Sequence, residues 1–122
     1  MKLVHSCIRV FDIEKSIEFY KKAFGFEVKK YNDFPEHKFA LAYLALPGDA
    51  FEIELTYNYG SDPYEIGNGY SHIALKADDL EALHAEQLAQ GLEPGELKGL
   101  PGSQPNYYFI SDPDGYRVEV VR

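Results

Sequence analysis

The sequence predicts an α+β fold in which two tandem βαβββ modules form a curved, cup-like mixed sheet. Short strands with alternating apolar residues, two capped helix patterns, and a repeated spacing of His, Asp, Gly and Glu support this prediction. The chain has 122 residues, which is the usual size of one domain. We expect a single domain over residues 1–122, made of two repeats at about 1–59 and 70–122.

The first half begins with a strand and a helix. VHSCIRVF alternates, with apolar residues at Val4, Ile8 and Val10 and a second face that carries His5, Cys7 and Arg9. Asp12 is placed to cap a helix over DIEKSIEFYKKAFGF, and Gly25 is placed to end it. Three further strands are expected near 27–31, 38–46 and 50–57.

The second half repeats this plan after a turn-rich segment, GSDPYEIGNGYS. A strand is expected from His72, and Asp78 or Asp79 is placed to cap the next helix. Gly91 is placed to end that helix, and its apolar positions are Leu80, Leu83 and Leu88. Late strands are expected at 106–111 and 116–121, separated by the turn DPDG. The overlay of the two halves predicts the order βαβββ for each of them.

The two halves agree when residues are counted from the first histidine of each. After His5, an Asp follows at 7 residues, a Gly at 20 and Glu54 at 49. After His72, an Asp follows at 7 residues, a Gly at 19 and Glu119 at 47. This ordered agreement indicates an internal duplication with a His on the first strand and a Glu on the last strand of each half.

These His and Glu residues lie on the polar faces of their strands. If the apolar faces pack under the helices, the polar faces converge on the concave side of the sheet, where nitrogen and oxygen donors suit a divalent transition metal. A single such residue is more often simply solvated, and the repetition favours the metal site. Glu52 shares a face with Glu54, so periodicity leaves the choice between them open.

Charge and composition exclude several other classes. The net charge is −8 and no Lys/Arg block is present, which argues against a nucleic-acid partner. No apolar run reaches the roughly 18–20 residues that span a bilayer, and the start of the chain lacks the pattern of a secretory signal. The single cysteine, Cys7, forms no intrachain disulfide. We expect a cytoplasmic protein.

Four motifs of the sequence, the first of them in two separate parts, resemble the glyoxalase I family of the vicinal oxygen chelate superfamily. They are HSCIRV with the later FYKKAFGF, ELTYNYG, GYSHIAL and DPDGYRVEVV. The resemblance covers almost the whole chain and implies the glyoxalase fold. It implies metal ligands at His5, Glu54, His72 and Glu119, and so favours Glu54 over Glu52. Arg9 and Asn58 match positions that bind the glutathione portion of the substrate.

The resemblance also implies a reaction and an assembly. The family isomerises the hemithioacetal of methylglyoxal and glutathione to S-lactoylglutathione through an enediolate, which detoxifies methylglyoxal. Glu119 is the implied catalytic base and Glu54 the assisting carboxylate. A histidine as first ligand is similar to the bacterial branch that prefers Ni²⁺ or Co²⁺, with Zn²⁺ possible. The family is homodimeric, with His5 and Glu54 of one chain meeting His72 and Glu119 of the other.

Other activities of the superfamily remain as alternatives. The later basic residue that binds glutathione in the family has only Lys98 as a counterpart, which leaves a different low-molecular-weight thiol open. Extradiol dioxygenases and antibiotic-inactivating thiol transferases use two His and one Glu, so Glu54 argues against them. Epimerases use four ligands and stay open. A non-catalytic small-molecule binding protein is the non-enzymatic alternative.

Overall fold

The elements follow each other in an α+β order, as predicted. A computed structural model describes all residues from Met1 to Arg122, in two compact units, Met1–Glu65 and Ile66–Arg122. The elements of the first unit are β1 (His5–Arg9), α1 (Ile13–Phe24), β2 (Glu27–Phe34), β3 (Phe39–Ala45) and β4 (Glu52–Asn58). Those of the second unit are β5 (His72–Lys76), α2 (Leu80–Ala89), β6 (Tyr107–Ser111) and β7 (Arg117–Val121).

Each unit contains its own sheet. The first sheet has the order β1-β4-β3-β2 and the second has the order β5-β7-β6. In both, the first strand pairs in parallel with the last strand, while the remaining pairs are antiparallel. The prediction of mixed sheets is confirmed, although the strands form two sheets and not one continuous hydrogen-bonded sheet.

Helix α1 begins and ends where its capping residues predict. The Asp12 carboxylate accepts a hydrogen bond from the Lys15 backbone N–H at 3.1 Å. Gly25 adopts a φ of 77°, a left-handed conformation that glycine reaches without the steric cost of a side chain. The helix buries one apolar stripe, which includes Phe19, Tyr20 and Ala23. The apolar face of the first sheet supplies buried residues on the other side, among them Ile8, Leu44, Ile53 and Leu55.

One apolar residue of the predicted first strand lies outside the core. Val4 precedes β1 and its side chain is 62% exposed. Its carbonyl oxygen accepts a hydrogen bond from the Glu52 backbone N–H at 3.0 Å, so the backbone extends the pairing while the side chain remains outside the core.

Helix α2 departs from the predicted apolar pattern. Asp79, and not Asp78, caps it by accepting a hydrogen bond from the Ala82 backbone N–H at 3.0 Å. Leu88 is 54% exposed, whereas Gln87 is fully buried. Leu80 and Gln87 are two turns apart and therefore share a face, while Leu88 is rotated by about 100° from Gln87. The buried Gln87 accepts a hydrogen bond from the Tyr108 hydroxyl at 2.9 Å.

The second unit lacks one of the strands that the repeat predicts. The segment between α2 and β6 forms an isolated bridge between Lys98 and Tyr107 and a hydrogen bond from the Gly95 N–H to the Phe109 carbonyl oxygen at 2.8 Å, but no regular strand. Its sequence, GLEPGELKGLPGSQP, is rich in Gly and Pro. Proline has no N–H to donate and glycine weakens extended pairing, so a regular ladder is interrupted here. The order of the second unit is therefore βαββ, whereas the first unit has the predicted βαβββ. Neither α1 nor α2 has the length and apolar character that crossing a bilayer requires.

Candidate metal and substrate site

His5 and Glu54 form a pair on the polar face of the first sheet. The direct register partner of His5 on the parallel strand is Glu52. Glu54 lies two residues further on and shares that face, and its Oε2 atom lies 2.9 Å from His5 Nε2. Glu54 therefore contacts His5 diagonally across the parallel strands β1 and β4. The His5 side chain is 39% exposed and that of Glu54 is 13% exposed.

A second contact holds the other oxygen of the Glu54 carboxylate. The Thr56 hydroxyl donates a hydrogen bond to Glu54 Oε1 at 3.1 Å, and the Cys7 Sγ atom lies 3.2 Å from the same hydroxyl. Burial raises the pKa of the Cys7 thiol, and the nearby Glu54 carboxylate raises it further. A thiol that stays protonated at neutral pH is a poor nucleophile, so Cys7 packs beside the pair as a small neutral group.

His72 and Glu119 form a corresponding pair in the second unit. The direct register partner of His72 is Arg117, and Glu119 again lies two residues further along the parallel strand. Glu119 Oε2 lies 3.2 Å from His72 Nε2. The Ser71 hydroxyl lies 2.6 Å from the other ring nitrogen, His72 Nδ1, and so can fix the ring orientation. Both units thus present one imidazole and one carboxylate in the same diagonal arrangement.

An aromatic side chain accompanies each pair, and neither was identified from the sequence. Tyr43 is the register partner of Glu54, and its ring centre lies 5.8 Å from that of His5 in an edge-on contact. Phe109 is the partner of Glu119, and its ring lies 5.1 Å from that of His72 in the same geometry. The internal repeat could have indicated both aromatic residues, because each of them lies on the strand that forms an antiparallel hairpin with the Glu-bearing strand of its unit.

Arg9 and Asn58, which the family resemblance associates with substrate, contact each other. Arg9 Nη1 donates a hydrogen bond to Asn58 Oδ1 at 2.8 Å. The Tyr64 hydroxyl donates to the same oxygen at 3.1 Å and accepts a hydrogen bond from Ser61 Oγ at 3.1 Å. Both Arg9 and Asn58 lie on the sheet face of His5 and Glu54. The first unit therefore places a cation and an amide on the face that carries its His–Glu pair.

The two pairs fit a divalent metal in donor chemistry. Each offers an imidazole nitrogen and a carboxylate oxygen that face one another and remain partly accessible, as transition-metal ligands do. No group of three or more His, Cys, Asp or Glu side chains that could hold a metal ion is found within the chain. The remaining histidines lie apart from these pairs: His37 is exposed after β2, and His84 Nε2 lies 2.8 Å from the Gly95 carbonyl oxygen.

Several known proteins are similar to this chain in sequence and in fold. Residues 2–120 match the family described as the Glyoxalase/Bleomycin resistance protein/Dioxygenase superfamily. The lactoylglutathione lyase of Escherichia coli O157:H7 is 38% identical over 99% of this chain and 92% of its own length. A probable lactoylglutathione lyase of Vibrio cholerae is 40% identical over 99% of this chain and 90% of its own.

A solved structure agrees with these relatives. The trypanothione-dependent glyoxalase I of Leishmania major superimposes with a TM-score of 0.87 at 31% identity, covering 100% of this chain and 86% of that one. The resemblance predicted from four short motifs is thereby confirmed over nearly the full length. The chain belongs to the glyoxalase/bleomycin resistance protein/dioxygenase superfamily.

Proposed function

We propose that the chain is a lactoylglutathione lyase, or glyoxalase I, which isomerises the hemithioacetal of methylglyoxal and glutathione to S-lactoylglutathione. The observation that carries the proposal is the presence of two His–Glu pairs in the same diagonal register, one in each unit. Relatives named as lactoylglutathione lyases align over nearly their whole length. The reaction would remove methylglyoxal in the cytoplasm, where glutathione is kept reduced.

His5, Glu54, His72 and Glu119 would hold the metal ion. Two imidazole nitrogens and two carboxylate oxygens suit a first-row divalent metal. The resemblance to the bacterial branch of the family, which rests on the histidine at the first position, favours Ni²⁺ or Co²⁺, with Zn²⁺ as the alternative. When bound, the ion supplies Lewis-acid stabilisation of negative charge that develops on the substrate oxygens.

The active protein would be a homodimer with metal sites shared between chains. Each unit supplies one His–Glu pair, which is two candidate ligands. A transition-metal site in a protein ordinarily has three or four protein ligands. We infer that His5 and Glu54 of one protomer meet His72 and Glu119 of its partner, so that dimerisation completes the site.

Glu119 would carry the proton from C1 to C2 of the substrate. The Glu119 carboxylate is paired with His72, whereas the Glu54 carboxylate is paired with His5 and also accepts a hydrogen bond from Thr56. A carboxylate with fewer restraints can move between positions at lower cost, which a base that takes and returns a proton requires. Glu54 would assist from the opposite side.

Arg9 and Asn58 would hold the glutathione portion of the substrate. Arginine binds carboxylates through paired N–H groups, and the Asn58 amide offers both a donor and an acceptor. Their mutual hydrogen bond at 2.8 Å keeps them in place on the face of the first His–Glu pair. Positioning by such groups lowers the entropy that the reacting substrate must lose.

Replacing Glu119 with Gln tests the proposed base. The amide keeps the size of the side chain and removes its ability to accept a proton, so turnover should fall by at least about 10²-fold. The assay follows thioester absorbance with methylglyoxal and glutathione after chelation and reloading with Ni²⁺, Co²⁺ or Zn²⁺. Glu52→Gln is the matched control, because Glu52 lies on the same strand face as Glu54 and is the direct register partner of His5.

The outcomes separate the parts of this proposal. Near wild-type activity of a folded Glu119→Gln variant would contradict its role as the base. Recovery with Zn²⁺ alone would contradict the preference for Ni²⁺ or Co²⁺. A monomeric protein with full activity would contradict shared sites. Repeating the assay with other thiols, including trypanothione, tests which thiol forms the substrate.

A further inference from the structure

A cavity of about 370 Å³ lies in the second unit, beside its His–Glu pair. The turn before β5 supplies most of its wall, through residues 66–68 and 70–71, and the start of β7 supplies Gly115 and Arg117. Gly115 adopts a φ of 92°, a conformation that side-chain-bearing residues rarely adopt. A Cβ atom added there would lie 3.7 Å from the Ile66 side chain, which is an ordinary contact distance, so the backbone conformation is what favours glycine at this position.

Two residues line the cavity and are also neighbours of the His72–Glu119 pair. Ser71 lines the cavity and its hydroxyl contacts His72 Nδ1 at 2.6 Å. Arg117 lines the cavity, is the register partner of His72, and lies two residues before Glu119 on the same strand face. A molecule in the cavity would therefore contact neighbours of His72 and Glu119, the two residues of this unit that are proposed to bind the metal.

Arg117 is held in position and has no anionic partner. Its guanidinium carbon lies 3.9 Å from the centre of the Phe109 ring, and that ring contacts His72 edge-on. Stacking on an aromatic face restricts the guanidinium plane and leaves its N–H groups available at the edge. Arg117 forms no ion pair with a carboxylate of the chain.

Positive charge is scarce in the second unit, so a cationic side chain in the cavity wall points to an anionic ligand. The unit has four Lys or Arg residues, at Lys76, Lys98, Arg117 and Arg122. Arg122 is bound to the Glu81 carboxylate and the Pro105 carbonyl oxygen. Among the four, only Arg117 lines the cavity. The polar side chains that line the cavity beside it are those of Asn68, Tyr70 and Ser71, and the Asn68 amide and the Ser71 hydroxyl can both donate hydrogen bonds to an anion.

We propose that Arg117, with Asn68 and Ser71, forms a subsite for a carboxylate of glutathione. The inference rests on the proposed function, because it assigns part of that substrate to this cavity. Glutathione has two carboxylates, and Arg9 in the first unit accounts for one of them. Arg117 would supply a second cationic contact, in place of a basic residue from the segment that contains Lys98. A guanidinium whose orientation is already restricted loses little further freedom when it binds a carboxylate.

The test measures binding of S-methylglutathione, which cannot react, to the metal-loaded protein by calorimetry. Arg117→Met keeps an unbranched apolar stem against Phe109 and removes the charge, while Arg117→Lys restores a charge. We expect Arg117→Met to weaken binding at least about tenfold and Arg117→Lys to weaken it less. Lys98→Met is the matched control, and we expect it to change binding less than twofold.

The diethyl ester of S-methylglutathione separates charge recognition from packing. It has no free carboxylate, so Arg117→Met should leave its affinity unchanged. Equal weakening of the acid and the ester would overturn the subsite, as would no binding of S-methylglutathione to the wild-type protein or a larger loss in Lys98→Met. Turnover of the hemithioacetal by the wild-type protein is measured separately. Binding that depends on Arg117 without turnover would support the subsite while contradicting the proposed function.

Discussion

Thr56→Val removes the hydrogen bond that holds the Glu54 carboxylate while changing little else. The Thr56 hydroxyl donates to Glu54 Oε1 at 3.1 Å, and the opposite oxygen faces His5. Valine has nearly the same shape and the same branching at Cβ, so strand β4 should keep its conformation. The substitution therefore tests whether Thr56 orients a metal-binding carboxylate.

The size of the effect follows from the burial of Glu54. Its side chain is only 13% exposed, so water replaces the lost hydrogen bond poorly. A hydrogen bond to a charged group contributes about 1.5–3 kcal/mol, and 1.4 kcal/mol corresponds to a factor of ten. Loss of an outer partner of a metal ligand costs about 10- to 100-fold in affinity. We expect the dissociation constant for Ni²⁺ to rise about tenfold.

The assay titrates Ni²⁺ into the apo-protein in competition with a chelator of known affinity. Thr56→Ser keeps the hydroxyl and should bind Ni²⁺ within about threefold of the wild-type protein. Cys7→Ala removes the thiol that contacts Thr56 while leaving the bond to Glu54, and it should also change affinity little. A folded Thr56→Val variant that binds Ni²⁺ within twofold of the wild type would refute this reasoning.

Two further predictions concern stability. Tyr108→Phe should lower the free energy of unfolding by about 1–3 kcal/mol, because the buried Gln87 loses the donor at 2.9 Å; urea titration measures this. Burial raises the pKa of Tyr108 to about 12 from an ordinary value of 10.0. Between pH 10 and pH 12 the native state therefore keeps the Tyr108 proton, whereas the unfolded chain releases it. The free energy of unfolding keeps this contribution below pH 10 and loses it as the pH rises toward 12. A hydrogen bond to Asp33 also raises the pKa of Tyr59 to about 12, so the wild type should lose more stability over this range than Tyr108→Phe, and equal losses would contradict the assignment. Asp12→Ala and Asp79→Ala should each cost about 1 kcal/mol through loss of a helix N-cap. Asp78→Ala is the control, and a loss of melting temperature equal to that of Asp79→Ala would contradict the capping assignment.

Local structure was largely predictable because its causes are local. The Asp12 cap and the Gly25 end of α1 depend on backbone groups within a few residues, and both were predicted. The alternation that placed His5 and Glu54 on polar faces follows from the two-residue period of a strand. The repeated spacing of His and Glu then indicated two histidines and two glutamates as candidate metal ligands, and the family resemblance selected Glu54 over Glu52.

The contacts of the site depended on pairing between distant segments. Periodicity places Glu52 and Glu54 on one face, and only the folded pairing of β1 with β4 shows that His5 contacts Glu54, two residues beyond its register partner Glu52. The same holds for Tyr43 and Phe109, which reach the His–Glu pairs through hairpin register.

The sequence by itself determined the α+β class, the caps of α1 and the polar faces of the strands, since caps and periods act over a few residues, and the family resemblance supplied the four candidate ligands. Tertiary structure decided which carboxylate meets which imidazole, and why α2 buries Gln87 while Leu88 stays exposed. It also decided that the Gly- and Pro-rich segment before β6 forms a single bridge and not a strand. These outcomes depend on inter-strand register and on the packing partner of each helix, which bring together residues far apart in the chain.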